Sequence, residues 1–430
     1  MLTITLIVAI CIVIMGGVPI AIALGLIAAA TMVLTVGPDL LFIFVQRVYA
    51  GTTSFPLLAI PFFVLAGNLM NVGGTTERIF AVAQLLVGRI RGGLAHVNTL
   101  ASVIFAGMSG SAVADAAGMG VIQQKAMTAA GYRPSYAATI TAVSSTIGPI
   151  IPPSIPFVIY GSLANVSVGA LFLAGILPGL LMAVCLMTAI AISASYLNLP
   201  RGAGFPPFRQ AVRTLLAAFP ALMLPPAILT VILTGIATPT EAAVVASAFA
   251  FGLGRWVYRE LTYTQVYDVL WESARQTAQV MFIIALAAPF GWVLIQQQIP
   301  NAILQALLGL SSEPWVIMLI ITIALLVLGM FIEGIALMII AFPVLMPVVQ
   351  SIGVDPIHFG VVLVLNLMIG LVTPPVGLCL YVVSGVARVP IPEIVREIWP
   401  YFIGLIVSLL LVTYIPAISL WLPHYFGYGF

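Results

Sequence analysis

Residues 131–153 read GYRPSYAATITAVSSTIGPIIPP, and residues 353–375, which lie 222 positions later, read GVDPIHFGVVLVLNLMIGLVTPP. Both segments open with Gly-x-x-Pro and close with Ile-Gly-x-x-x-Pro-Pro at the same spacing. At this offset Gly107-Met108 also falls on Gly329-Met330, so residues 107–153 align with 329–375 without a gap. Apolar identities arise by chance in a hydrophobic chain, whereas glycines and prolines shared at one spacing indicate an internal duplication.

The composition places this duplication in a membrane. The chain is 62% hydrophobic and 6% charged, whereas a soluble domain carries about 25% charged residues. A spanning helix needs about 20 consecutive apolar residues. We predict an all-α polytopic membrane protein, a single integral membrane domain over residues 1–430, with spans at 56–73, 134–164, 169–197, 214–235, 239–257, 276–297, 356–386 and 399–422. In such a protein, Gly- and Pro-broken segments that recur in both halves point to the binding site of a secondary transporter.

Three regions outside these spans are less informative. Residues 1–36 are split by GGVP at 16–19 into two short arms, which fit either two spans or one broken span. A cleaved signal peptide is not expected, because no basic residue precedes the first apolar run. Residues 38–50 and 259–275 are amphipathic and predict interfacial helices at the level of the lipid headgroups.

Metal, cofactor and nucleic-acid functions find no support in the composition. A net charge of +2 gives no indication of nucleic-acid binding. No spacing typical of a zinc site or a disulfide framework connects the chain's isolated cysteines and histidines, which are Cys11, Cys185, Cys379, His96, His358 and His424. We expect no cofactor and no metal site other than one for a coupling ion.

The basic residues suggest how the first repeat crosses the membrane. Short cytoplasmic loops are enriched in Lys and Arg, and three clusters mark such loops: Arg89 with Arg91, Lys125 with Arg133, and Arg201 with Arg209 and Arg213 in 199–213. Only 33 residues separate Arg91 from Lys125, too few to cross ~30 Å of hydrocarbon twice at about 1.5 Å per residue. We therefore predict a re-entrant helical hairpin that turns near the midplane at Ser109-Gly110-Ser111.

The second repeat is predicted to enter from the opposite face. Its hairpin, at about 315–350, is flanked by Glu313 and Asp355 and by no basic residue. Five predicted crossings separate Arg133 from Asp355, and an odd number changes the side of the membrane. The prediction is thus an inverted repeat, with its two elements at about 92–164 and 315–386.

The Pro-Pro segments at 148–153 and 370–375 are predicted to interrupt helices at membrane depth. Non-helical backbone is tolerated there only where it is buried in protein or lines a cavity. Proline frees upstream carbonyls, and these could bind Na⁺ together with hydroxyls from Ser144, Ser145 or Thr146 in one repeat and Thr373 in the other. Inward-pointing half-helix N-termini suit an anionic substrate. The alternative is that both segments are kinks that only allow helices to pack.

Two acidic residues, Asp115 and Glu333, are predicted to lie near the middle of the membrane, where ionisable groups are costly and usually face a functional cavity. Glu333 at the outer hairpin tip is a candidate for contact with substrate or cation. Asp115 follows the inner tip and could instead cap or brace the returning limb. Glu241 is interpreted as structural, in the first turn of a helix capped by Thr240.

Two other classes of membrane protein are compatible with parts of the sequence. Gly107-Met108-Ser109-Gly110 fits the Gly-x-Ser-Gly of rhomboid-type intramembrane serine proteases, with His358 as a possible base. The duplication explains Gly-Met without such chemistry, because it recurs at Gly329-Met330 with Phe331 in place of the serine. A channel is also compatible, although hairpins of opposite orientation favour alternating access.

Several long motifs resemble one family in its own order. They are LLAIPFFVLAGNLM (57–70), FAGMSGSAVADAAGMG (105–120), GYRPSYAATITAVSSTIGPIIPPSIPFVIYG (131–161), GIATPTEAAVVA (235–246) and DPIHFGVVLVLNLMIGLVTPPVGLCLYV (355–382). The chain resembles the large membrane subunit of tripartite ATP-independent periplasmic (TRAP) transporters, of the DctM/SiaM type. The resemblance extends over nearly the whole chain.

The resemblance implies a Na⁺-coupled elevator importer of organic acids in a bacterial or archaeal inner membrane. In that architecture, transport elements at about 92–164 and 315–386 move against scaffold helices at about 1–75, 169–297 and 399–422. It also implies two partners, a small four-helix membrane subunit, expected here as a separate chain, and a periplasmic substrate-binding protein. Carried over by motif, the Na⁺-binding residues are Ser109, Ser145, Gly148 and Pro152 in one repeat and Gly329, Gly370, Thr373 and Pro374 in the other. Ser111 and Glu333 are the predicted substrate contacts.

The two cation sites are expected to differ, because Thr373-Pro374 is matched by Ile151-Pro152 and only the second repeat has a hydroxyl there. A stand-alone, ion-coupled organic anion carrier of similar fold is the alternative function. The sequence leaves open which organic acid is carried, because the binding protein sets much of the selectivity; a C4-dicarboxylate, sialic acid, a sugar acid and a 2-oxo acid all fit.

Overall fold

The computed structural model describes Val13 and residues 16–35, 37–202 and 206–428. Their secondary structure is helical, with no β-strand beyond an isolated bridge between Arg91 and Arg201. The α-helices are α1 (Ile20–Thr35), α2 (Leu41–Thr52), α3 (Ala59–Val72), α4 (Thr75–Val87), α5 (Gly93–Ser109), α6 (Ala112–Ala129), α7 (Pro134–Ser145), α8 (Ile155–Ala164), α9 (Val168–Tyr196), α10 (Phe208–Leu233), α11 (Pro239–Gly252), α12 (Tyr263–Gln296), α13 (Ile299–Leu310), α14 (Pro314–Gly329), α15 (Gly334–Ser351), α16 (Pro356–Gly370), α17 (Leu378–Ala387), α18 (Ile391–Tyr414) and α19 (Ala417–Tyr425). The all-α prediction is confirmed.

Six helical segments among the described residues are long and apolar enough to cross a membrane: Phe55–Val72, Val168–Tyr196, Phe208–Leu233, Tyr263–Gln296, Gly334–Ser351 and Ile391–Tyr414. The first begins with a short 3₁₀ turn, and the predicted span 239–257 is α11 followed by a π-helical segment at Leu253–Val257. The first arm of 1–36 and part of the loop 199–213 lie outside the described residues.

Two predicted boundaries were wrong. Residues 259–275 do not form a separate interfacial helix, because α12 runs unbroken from Tyr263 to Gln296 with no glycine or proline between 263 and 288. The last span begins at Ile391, after Pro390, and ends at Tyr414. Ile415, which precedes Pro416, has left the helical region at φ −121° and ψ 82°, as residues before proline commonly do.

The duplication is visible in the helix boundaries. At the 222-residue offset, α6 and α15 have the same first and last positions, and α7 and α16 both begin at the proline of Gly-x-x-Pro. Both α6 and α15 are capped at matching positions: Ser111 accepts a hydrogen bond from the Ala114 N–H, and Glu333 accepts one from the Ala336 N–H. α5 with α6 and α14 with α15 therefore form two matching helical hairpins.

Each hairpin is followed by an interrupted helix, as the Pro-Pro segments predict. In the first repeat the helix stops at Ser145 and resumes at Ile155; in the second it stops at Gly370 and resumes at Leu378. The second half of each interrupted helix packs against the other repeat, α8 on α15 and α16, and α17 on α6 and α7. The two repeats are thus interlocked through their interruptions.

The remaining helices surround this unit. α3 and α12 contact each other and face the hairpins, and α12 also packs on α1, α2 and α15. α9 and α18 pack on each other and on the interrupted helices. The division into moving transport elements and fixed scaffold, and the opposite orientation of the two repeats, stay predictions.

One cap differs from the prediction. The N-cap of α11 is Thr238 rather than Thr240, because Pro239 takes the first helical position, which suits its fixed φ. Thr238 and Glu241 form a reciprocal capping box, with the Thr238 N–H donating to Glu241 Oε2 at 2.8 Å. The Thr240 hydroxyl instead donates to the Phe55 carbonyl at 3.3 Å. Glu241 has the structural role that the sequence suggested.

Candidate functional site

The turn of the first hairpin consists of three residues, each with a different structural role. α5 ends at Ser109, Gly110 takes a left-handed conformation at φ 58°, and Ser111 starts the return as the N-cap of α6. Gly110 also lies close to the first interrupted helix, since an added Cβ would be 3.0 Å from the Pro153 carbonyl oxygen. A side chain at this position would therefore be both strained and crowded.

A buried carboxylate connects this tip to the first interruption. Asp115 is 2% exposed, and its Oδ1 accepts a hydrogen bond from the Ser109 hydroxyl. Its Oδ2 is buried and has no hydrogen-bond partner in the described structure, and a Cβ built on Gly148 would overlap it. A buried carboxylate oxygen without a donor is costly. Asp115 therefore braces the tip with one oxygen, and its other oxygen lies beside Gly148 without a donor.

The other predicted cation ligands of the first repeat lie nearby or in the same interruption. The Ser145 hydroxyl donates to the Ala142 carbonyl at 2.8 Å. The Ser145 carbonyl oxygen would be 3.3 Å from a Cβ on Gly148. The Pro152 carbonyl faces the first hairpin, 3.4 Å from where a Cβ on Gly107 would lie. Ser109 and Gly148 thus lie against Asp115, and the Ser145 carbonyl lies beside Gly148.

The second repeat uses a different arrangement. Gly329 and Gly370 are in backbone contact, since a Cβ on Gly370 would be 2.9 Å from Gly329 Cα. Thr373 is buried, and its hydroxyl donates to the Ile369 carbonyl at 2.7 Å. This is the bond expected of a packing hydroxyl, although its oxygen keeps lone pairs. Leu337 stands at the repeat position of Asp115, so the second repeat has an apolar side chain where the first has a carboxylate.

A cavity of about 500 Å³ lies between the two hairpin tips and the helices α3 and α12. Both predicted substrate contacts, Ser111 and Glu333, line it, as does Ser109. The other predicted Na⁺ ligands do not line this cavity. Apart from Ser109, the predicted cation ligands therefore lie outside the cavity that the predicted substrate contacts line.

The sequence did not single out the opposite wall of the cavity. This wall consists of polar side chains from α3 and α12, namely Asn68, Asn71, Glu272, Gln276 and Gln279. Asn68 Nδ2 donates to Ser273 Oγ at 2.9 Å and to Gln276 Oε1 at 3.2 Å, and Gln276 Nε2 donates to Glu272 Oε1 at 3.0 Å. Amide side chains recur at helical spacing here, Asn68 with Asn71 and Gln276 with Gln279, and this recurrence could have indicated a polar helix face.

The serine protease interpretation is wrong. Both ring nitrogens of His358 are engaged elsewhere, Nδ1 with the Ser419 hydroxyl at 2.7 Å and Nε2 with the Thr413 carbonyl at 3.2 Å. The Ser109 hydroxyl is bonded to Asp115 instead. The nucleophile and base that the motif requires are therefore not paired.

The fold resembles that of a solved transporter. The YdaH transporter of Alcanivorax borkumensis matches 95% of this chain and 98% of its own chain with a TM-score of 0.67 at 13% sequence identity. At that identity the likeness concerns the fold alone.

Sequence comparisons give the family. The family model for the tripartite ATP-independent periplasmic transporter, DctM component, matches residues 7–418. The sialic acid TRAP transporter large permease protein SiaM of Vibrio cholerae is 44% identical over 96% of this chain and 97% of its own length. The C4-dicarboxylate TRAP transporter large permease protein DctM of Pseudomonas aeruginosa is 41% identical over 94% of each chain. The chain therefore belongs to the DctM family of TRAP transporter large permease subunits, which are integral inner-membrane proteins and not enzymes.

Proposed function

We propose that this chain is the permease of a Na⁺-coupled importer that moves an organic acid by an elevator mechanism. The observation that supports this best is the unpartnered, buried Oδ2 of Asp115 beside Gly148, at the junction of the first hairpin and first interruption. An anionic oxygen among backbone carbonyls and hydroxyls is a ligand set that a small hard cation prefers.

The two proposed cation sites flank the substrate cavity. The first would use Ser109, Ser145, Gly148 and Pro152 with Asp115, and the second Gly329, Gly370, Thr373 and Pro374. Binding at either site would link a hairpin to its interrupted helix. A cation that orders the hairpin tips also orders Ser111 and Glu333, which line the cavity. Cation binding would therefore favour substrate binding, the coupling that symport requires.

The family implies two partners, a small membrane subunit and a periplasmic binding protein. We propose that the binding protein delivers the acid to the cavity between the hairpin tips. Sialic acid and C4-dicarboxylates, the substrates in the names of the two relatives, are the first candidates.

Reconstituted transport tests this proposal. Proteoliposomes that contain the permease, its small subunit and the cognate binding protein should import the acid in NaCl but not in choline chloride, and without ATP. Equal uptake in choline chloride would contradict Na⁺ coupling. Equal uptake without the binding protein would instead favour the stand-alone anion carrier.

A further inference from the structure

The charges around the substrate cavity restrict the acid that it can hold. Glu272 and Glu333 both line the cavity, whereas none of the described lining residues is Lys, Arg or His. A substrate carboxylate in this space has no side-chain cation as a partner, and each additional carboxylate meets like charges, which is unfavourable at close range. The cavity therefore tolerates few negative charges on its ligand.

The two hairpin tips differ in the charge of their N-cap residues, and this difference affects how many substrate carboxylates the cavity can hold. The N-cap of α6 is the neutral Ser111, whereas the N-cap of α15 is Glu333, whose Oε2 accepts the Ala336 N–H at 3.0 Å. A helix N-terminus favours a nearby anion. The chain's own carboxylate already occupies that position at α15, so of the two hairpin tips it is that of α6 that leaves the position open for a substrate carboxylate.

The opposite wall is suited to hydroxyl groups. Glu272 Oε1 accepts a hydrogen bond from Gln276, and Asn68 donates to Gln276, so these three side chains hold one another in position along α3 and α12. Gln279 lies nearly one turn further along α12 and also lines the cavity. Carboxylate and amide oxygens accept hydrogen bonds from hydroxyls, and the charge-assisted bonds are the stronger ones.

We propose that this cavity takes a monocarboxylate with a hydroxyl-rich body, a sugar acid, in preference to a dicarboxylate. The single carboxylate lies at the N-terminus of α6, and the hydroxyls face Glu272, Gln276 and Gln279. A volume of about 500 Å³ has room for such a molecule, since ligand pockets commonly measure ~300–1,000 Å³. This inference rests on the proposed function, because it assigns the substrate class of the same site.

Ligand-dependent thermal stability of the purified full chain in lipid nanodiscs tests the inference. Sodium N-acetylneuraminate and sodium D-gluconate represent sugar acids, and sodium succinate and sodium L-malate represent C4-dicarboxylates. At equal Na⁺ concentration we expect at least one sugar acid to raise the Tm and both dicarboxylates to leave it unchanged. A larger shift with succinate or malate overturns the inference, as does the absence of any shift with both sugar acids.

Two substitutions give a readout that a structural role would not produce. Glu333→Gln removes the charge that occupies the N-terminus of α15, and Glu272→Gln removes the charge on the opposite wall. Each should raise the affinity for succinate, by about tenfold for one like-charge contact of about 1.4 kcal/mol, whereas Glu272→Gln should lower the affinity for the sugar acid. Asp268→Asn, one turn before Glu272 on α12 and outside the cavity lining, is the matched control. Parallel changes for both acids would contradict the charge argument.

Repeating the measurements in choline chloride separates the inference from the proposed function. Sugar-acid stabilisation of equal size in choline would count against Na⁺ coupling while leaving the substrate class intact. Na⁺-dependent stabilisation by succinate alone would leave the coupling intact and reject the substrate class.

Discussion

At the scale of single residues, Thr373 tests whether the second interruption binds a cation. Its hydroxyl hydrogen is used by the Ile369 carbonyl, but its oxygen can still act as a ligand. Thr373→Val keeps the shape and removes this oxygen. If the oxygen binds Na⁺, the half-saturating Na⁺ concentration for transport should rise by about tenfold or more, as a loss of about 1.4 kcal/mol implies.

Thr31→Val is the control for that measurement. Thr31 is also buried, and its hydroxyl donates to the Ile27 carbonyl at 2.7 Å in the same i−4 pattern, but it lies on α1, away from both interruptions. It should leave the Na⁺ dependence unchanged. An unchanged half-saturation in a well-folded Thr373→Val protein would remove Thr373 from the site and leave the hydroxyl a packing role.

Asp115 provides the corresponding test in the first repeat. Asp115→Asn keeps the size of the side chain, but it removes the negative charge that would balance the cation and can retain only a neutral oxygen ligand. We expect Na⁺ to stabilise the purified protein less, with an apparent Kd at least about tenfold higher. Asp268→Asn again controls for loss of a carboxylate. Full Na⁺ stabilisation of Asp115→Asn would show that Asp115 only braces Ser109.

Residue-level roles were the least predictable from sequence. The position of Asp115 after the hairpin tip left bracing and ligation equally open, because its second neighbour, Gly148, is 33 positions away and meets it only in the fold. Glu333 was selected for its charge at membrane depth, but its capping of α15 depends on a backbone N–H that no side-chain pattern reveals. Long-range packing decides which oxygen of such a carboxylate is left without a partner.

At the scale of elements, the Pro-Pro segments predicted both helix interruptions, because proline acts through the backbone and keeps its effect in any apolar context. The first hairpin was predicted instead from the 33 residues between Arg91 and Lys125. Helix boundaries that were predicted from apolar composition were less accurate. Residues 259–275 carry a solvated face, yet they continue into the span of α12 because nothing in that stretch breaks a helix. Amphipathicity indicates which face of a helix is solvated, but it does not indicate where the helix ends.

The orientation of the hairpins is testable by labelling. In a background lacking Cys11, Cys185 and Cys379, single cysteines at the exposed positions Ile90 and Ala129 should react with an impermeant maleimide only from the cytoplasm. Ser312→Cys and Ser351→Cys, exposed at the ends of the second hairpin, should react only from outside. Reaction of the first two from opposite faces would make the first hairpin an ordinary span and reject the inverted repeat.

At the scale of the whole molecule, the elevator proposal requires the hairpins to move past α3. Asn71 on α3 meets Gly118 on α6, where an added Cβ would be 2.6 Å from Asn71 Cγ. Cysteines at these two positions would have Cβ atoms within about 4 Å, the separation that a disulfide needs. In the cysteine-free background, oxidation of Asn71→Cys/Gly118→Cys should abolish transport, and reduction should restore it.

Ala189→Cys/Gly404→Cys is the control, since a Cβ on Gly404 would lie 3.6 Å from Ala189 Cβ, between α9 and α18. These two helices fall largely in the predicted scaffold and pack on each other, so we expect them to move together and their cross-link to be harmless. Undiminished transport by a fully oxidised Asn71→Cys/Gly118→Cys protein would mean that α3 and α6 keep their contact throughout the cycle, and local opening of the tips would then replace the elevator.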